Sequence, residues 1–187
     1  TLQQWAFIAG SAVLHLFYFV LLQAGYRHGD LSLVYPTARS MGPLVAMVLA
    51  AIALAEYPTV QGAIGAAIII DGVFALTGGG RRAGGNATTS LLFGLGVGLL
   101  IGSYTTWDAY AVAALAVPPL LMDYGANLGR GLLLWPTALR RRKLIVDHWN
   151  NHRSEVIGIA ILSPLAYILV LYAMSFTPVA YVAPLRA

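Results

Sequence analysis

From Trp5 to Tyr26 the chain carries no acidic residue, no lysine and no arginine, and five later stretches are nearly as apolar. They run Ser32–Ala55, Thr59–Leu76, Ser90–Val112, Val117–Leu139 and Val156–Phe176, and a seventh begins at Pro178 and reaches Ala187. About 20 apolar residues cross a bilayer as a helix. Lipid offers no partner to a free backbone group, so such runs are helices or strands of a closed barrel. They are too long and too evenly apolar for the alternating strands of a barrel. The expected fold class is therefore all-α, a polytopic helical bundle in a lipid bilayer.

Composition points the same way. The chain has 187 residues, of which 59% are hydrophobic and 10% charged. Roughly 25% charged residues would be usual for a soluble domain. With no cysteine, disulfides and thiolate metal sites are excluded. A pI near 9.6 raises nucleic acid as a partner. The basic residues, however, sit in short connections between apolar runs, which is the membrane pattern, so no nucleic-acid partner is expected. Thr1-Leu2-Gln3-Gln4 has neither a basic n-region nor a starting Met, so the chain reads as a piece of a longer protein.

Arg27 lies in the first connection, Arg81 and Arg82 in the third, and Arg140, Arg141, Arg142, Lys143 and Arg153 in the fifth. The second and fourth have none. The positive-inside rule places the odd-numbered connections in the cytoplasm. The Gly-rich segment 77–89 is the natural linker, separating 1–80 from 88–187. Asn86-Ala87-Thr88 matches a glycosylation sequon, a motif short enough to arise by chance.

A weak internal repeat appears at an offset of 148 residues: Gly10 matches Gly158, Phe19 matches Tyr167, Val34 matches Val182 and Pro36 matches Pro184. Arg39 and Arg186 each follow that proline, at spacings of three and two. Five segment steps separate the copies, so they should cross the membrane in opposite directions. Inverted repeats of this kind typify secondary transporters. Shared apolar composition is the competing explanation.

Polar residues inside the runs are the candidate site. A charge at mid-bilayer costs roughly 3 kcal/mol or more unless it has a partner or a wet cavity. Tyr35, Pro36, Arg39 and Pro43 suggest a broken or kinked helix lining a cavity. Arg39 there meets an anionic substrate group, or else forms a salt bridge that fixes packing. Tyr104, Trp107 and Asp108 are spaced to share a helical face, where a carboxylate beside aromatic rings can hold an ammonium group or a proton. The alternative makes Asp108 a near-surface residue and Trp107 an interfacial anchor. His15, with Ser11 at i−4 and Tyr18 at i+3, is a packed histidine or a substrate contact. Tyr167 lines the cavity or simply packs. Asp123, Asn127 and Arg130 fall at i, i+4 and i+7 and read as a self-neutralising polar seam. Asp71 is read as a cap or as facing a neighbouring helix. Gly94, Gly98 and Gly102 form a stripe suited to close helix contact. No catalytic or metal-ligating constellation stands out, and no cofactor is expected.

Three blocks resemble EamA-type transporters of the drug/metabolite transporter superfamily: "YRHGDLSLVYPTARSMGPLVAMVLAAIALAE", "GLLIGSYTTWDAYAV" and "ILSPLAYILVLYAMSFTPVAYVAPLRA". Glu56 matches the glutamate that commonly follows that family's fourth helix. The resemblance implies part of a ten-helix, inverted-repeat bundle, covering about helices three to eight and the start of nine. Residues 1–80 would then belong to the first five-helix repeat and 88–187 to the second. It implies a multi-pass protein of the cell inner membrane that moves small metabolites, amino acids or similar, by alternating access, as an exporter rather than an enzyme. Family members have both termini in the cytoplasm, opposite to what the charge distribution gives here. The expected substrate contacts are His15, Tyr35, Arg39, Tyr104, Trp107, Asp108, Tyr167 and Arg186. Two other classes compete: a membrane-embedded enzyme using His/Asp acid–base chemistry, and a structural membrane subunit.

Overall fold

A computed structural model describes residues 1–57, 59–76 and 87–186. The side chains of Val73, Phe74, Leu76 and Arg186 lie outside the description, as do Arg81, Arg82, the sequon's Asn86 and positions 77–86 of the linker. The described residues are all-α: α1 (Leu2–His28), α2 (Leu31–Ala53), α3 (Val60–Leu76), α4 (Ala87–Ala113), α5 (Pro119–Arg140), α6 (Arg142–Asn151), α7 (Arg153–Met174) and α8 (Val179–Arg186). Four of them, α1, α2, α4 and α7, are long and apolar enough to cross a membrane. That is fewer than the six stretches read from the sequence. α3 has only 17 residues, and α5 carries Asp123, Asn127 and Arg130.

Local chemistry sets the helix ends. The Thr1 hydroxyl accepts from the Gln4 N–H, and Gln4 Oε1 in turn accepts from the Thr1 amino group, closing a capping box on α1. Arg27 and His28 in its last turn face the negative end of the helix dipole. Asp30 caps α2, accepting from the Ser32 N–H at 2.9 Å and from its hydroxyl at 2.7 Å. α2 and α4 stop in the same way. Ala55 and Ala116 sit in the left-handed region at φ 56° and 50°. The N–H groups of Glu56 and Val117 then fold back onto the carbonyls of Ala50 and Ala111.

Of the break or kink expected in α2, the break does not occur. The helix runs unbroken through Pro36 and Pro43. Each proline withholds one backbone donor, from the carbonyls of Ser32 and Arg39, and neighbouring helices can hold such a turn in shape. The longest contact in the bundle is between α2 and α4. A Cβ added at Gly94 would come 2.7 Å from Thr37 Cβ, and one at Gly98 would come 2.5 Å from Met41 Cβ. Gly102 meets Val45 in the same manner. Thr37, Met41 and Val45 thus mesh, turn for turn, with the glycine stripe, as close-packed membrane helices do.

Three long-range bonds order the ends. The Asp30 N–H donates to the Ser90 hydroxyl at 2.8 Å, joining the α1–α2 turn to the start of α4. Gln4 Nε2 donates to the Leu115 carbonyl at 2.9 Å, joining the N-terminus to the end of α4. The Val179 N–H donates to Glu56 Oε2 at 2.8 Å, so the α2–α3 connection caps α8. One end of the bundle therefore carries the first and fifth connections and the other carries the second and the α7–α8 turn. α1 and α7 run in opposite senses, and so do α2 and α8. The apolar core, built by Ile8, Ala50, Val112, Met122, Leu171, Met174 and Val179, lies toward the end that holds Glu56. Outer faces are apolar too: only 6% of the most apolar stretch of α7 is buried, a surface suited to lipid.

The segment 140–155, read from the sequence as a polar connection, holds the short helix α6 instead. Asp71 stands exposed on α3.

A candidate site among five helices

A cavity of about 800 Å³ lies among α1, α2, α4, α5 and α7. His15, Arg39, Tyr104 and Tyr167 line it, together with Asp123 and Arg130. The His15 ring stacks on Tyr104 with centroids 4.0 Å apart, and Tyr167 stands edge-on to both, at 5.5 and 6.2 Å. Tyr18 meets Tyr104 edge-on at 5.5 Å. These contacts make a rigid aromatic wall. His15 Nδ1 lies 2.9 Å from the Ser11 carbonyl. The Ser11 hydroxyl lies 3.2 Å from the same nitrogen.

Behind Tyr167 is Asp108, with no exposed surface. The Tyr167 hydroxyl donates to Asp108 Oδ2 at 2.5 Å, a bond from α7 to α4. α7 contributes a second feature. Pro164 has no N–H for the Ala160 carbonyl, and both residues line the cavity.

On the opposite wall, Asn127 Nδ2 donates to Asp123 Oδ2 at 2.9 Å, and Arg130 Nη2 donates to Asn127 Oδ1. The seam read from the i, i+4, i+7 spacing is therefore real, but it faces the cavity. The sequence reading left these three out of the site, although their shared face was the signal for including them. Arg39 enters from α2, with Cζ 5.9 Å from the centre of the Tyr35 ring.

The structure does not gather every expected contact. Tyr35 is 49% exposed and lies outside the cavity lining. Trp107 turns away from Tyr104 and Asp108. It stacks on Phe7 at 4.3 Å, and its indole N–H donates to the Phe7 carbonyl at 2.9 Å. There it borders a second, apolar cavity of about 870 Å³ between α1, α2 and α4. Adjacent helical residues point about 100° apart, so Trp107 and Asp108 serve different faces. The Arg186 side chain lies outside the described residues.

Among the described residues no group of three or more His, Asp or Glu side chains is placed to hold a metal. The cavity instead offers two guanidinium groups, a carboxylate seam and aromatic faces, a surface suited to a small solute carrying both charges. No protein-family model matches the chain, and neither a curated protein nor a solved structure is similar to it. What is established is a helical protein with four candidate membrane spans.

Proposed function

We infer that the chain is part of a secondary transporter of the drug/metabolite type, moving small metabolites, amino acids or similar, across a cell's inner membrane. The observation that carries this reading is the cavity of about 800 Å³, lined by charged and aromatic side chains among helices whose outer faces are apolar. Buried ionisable groups are costly in a membrane and mark solute pathways. Arg39 and Arg130 would meet a carboxylate. Asp123 would meet an ammonium group, and the rings of His15, Tyr104 and Tyr167 would form the wall. The opposite senses of α1 and α7, and of α2 and α8, agree with an inverted repeat in which two halves rock about a central site. In that reading residues 1–80 and 88–187 belong to different halves. The direction proposed is export.

The test is flux. The full-length protein, reconstituted into vesicles loaded with radiolabelled amino acids, should release at least one of them faster than protein-free vesicles do, and Arg130→Gln should abolish the difference. No release of any zwitterion, with the protein folded and inserted, would overturn the reading. Chemical conversion of the solute would favour an enzyme instead.

A further inference from the structure

We propose that α6 is an interfacial helix that lies on the bilayer and binds anionic phospholipid headgroups through Arg140, Arg141, Arg142 and Lys143. The inference rests on the membrane reading alone and is independent of transport.

α6 joins the end of α5 to the start of α7, with only Arg141 and His152 as hinges. It therefore lies next to the start of α7, one of the four helices apolar enough to cross a membrane. None of its residues is buried. Ile145 is 50% exposed and Trp149 is 42% exposed. The two residues are four apart and share one face. Lys143, Asp147 and Asn150, at i, i+4 and i+7, share the opposite face. A short helix with an aromatic-aliphatic face and a basic flank is the form that settles in the headgroup layer.

The charge balance selects the lipid. Between Arg140 and Glu155 there are five basic residues and two acidic ones. Among the described residues, none of Arg140, Arg141, Arg142 and Lys143 forms an ion pair; the pair in this region is His152 with Glu155 at 4.0 Å. The four cations are thus available to anions outside the chain. Arg153 lies with its Cζ 5.2 Å from the centre of the Trp149 ring. That cation–π contact holds the indole beside the basic flank, pairing an aromatic anchor with a headgroup binder. Basic residues beside a membrane span attract anionic lipid in proportion to their number.

The chain has no cysteine, so single spin labels report cleanly. Labels at Ile145→Cys, Asp147→Cys and Asn150→Cys would be placed in the full chain, reconstituted into vesicles of phosphatidylcholine alone or mixed with phosphatidylglycerol. A label at Leu169→Cys on the exposed face of α7 controls for insertion. In the anionic vesicles the label at position 145 should favour collision with oxygen, and those at 147 and 150 should favour the aqueous nickel chelate. Replacing Arg140, Arg141, Arg142 and Lys143 by Gln, or raising the salt concentration, should shift the label at 145 outward while leaving that at 169 deep. Equal accessibility at 145, 147 and 150 would overturn the proposal, because α6 would then stand in water or against another macromolecule. Equal depth at 145 in neutral and anionic vesicles would overturn the headgroup assignment.

Discussion

Tyr167 of α7 donates its hydroxyl to Asp108 of α4 over 2.5 Å, and the carboxylate it meets has no exposed surface. The bond ties together two helices that otherwise meet over a short contact. Tyr167→Phe keeps the ring but leaves a buried carboxylate short of a donor, at a cost of about 1–3 kcal/mol. A lower unfolding temperature in detergent should show it. Asp108→Asn keeps the shape and an acceptor for the tyrosine, and removes the charge. The expected outcome is a folded, inserted protein whose vesicle flux is lost. Flux equal to that of the unaltered protein would remove Asp108 from the transport site.

The two sides of α4 make different demands on its glycines. A Cβ at Gly98 would come 2.5 Å from Met41 Cβ and 3.3 Å from the Ala38 carbonyl, atoms that cannot swing aside. A Cβ at Gly96 would meet only the far end of Leu21, at 3.1 Å. Gly98→Ala should therefore lower stability by about 1–3 kcal/mol through overpacking. Gly96→Ala should be nearly neutral, since Leu21 can change rotamer. Thermal unfolding of the two variants in the same detergent separates the cases, and equal losses would refute the close α2–α4 mesh.

Glu56 gives the α2–α3 connection a grip on α8. Its Oε2 accepts from the Val179 N–H, one of the donors that the start of a helix leaves open. Glu56→Ala should cost about 1 kcal/mol, the usual value of a lost cap. In a helix of eight residues that loss should appear locally. Amide exchange at Val179–Ala183 should quicken, while that of α4 stays unchanged. Glu56→Gln retains an acceptor and should lie between the two.

Length and apolarity made the long helices legible, because a run of 20 apolar residues has few other ways to satisfy its backbone. α6 was not legible. Its apolar residues fall within a dense run of charges, and ten residues give little periodicity to read. Polar character inside apolar runs brought His15 and Arg39 into view, the internal repeat Tyr167 and helical spacing Tyr104, and these four line one cavity. Helical spacing failed for Trp107, because an interval of three or four residues leaves open which neighbour each flank will meet. Phe7 claimed that flank. It also undervalued Asp123, Asn127 and Arg130, since a chain of bonds along one helix looks complete until the space beside it is known.

The last expectation concerns orientation, and the end-to-end bonds make it sharper than a count of charges. The Asp30–Ser90 bond places the first connection at the same end of the bundle as the start of α4. The Gln4–Leu115 and Val179–Glu56 bonds gather the N-terminus, the end of α4, the α2–α3 connection and the α7–α8 turn at the other. Arg27, Arg140, Arg141, Arg142, Lys143 and Arg153 all fall at the first end, while the described connections at the second carry none. Retention of Lys and Arg on the cytoplasmic side then sets the whole bundle. A cysteine at Asn150, on the polar face of α6, should resist an impermeant maleimide applied to intact cells and react once the cells are opened. A cysteine at Tyr57, exposed beside Glu56, should react without opening. The reverse pattern would place the arginine-rich end outside, which is the orientation that the resemblance to EamA-type transporters implies, and would show that this chain disobeys its own charge asymmetry.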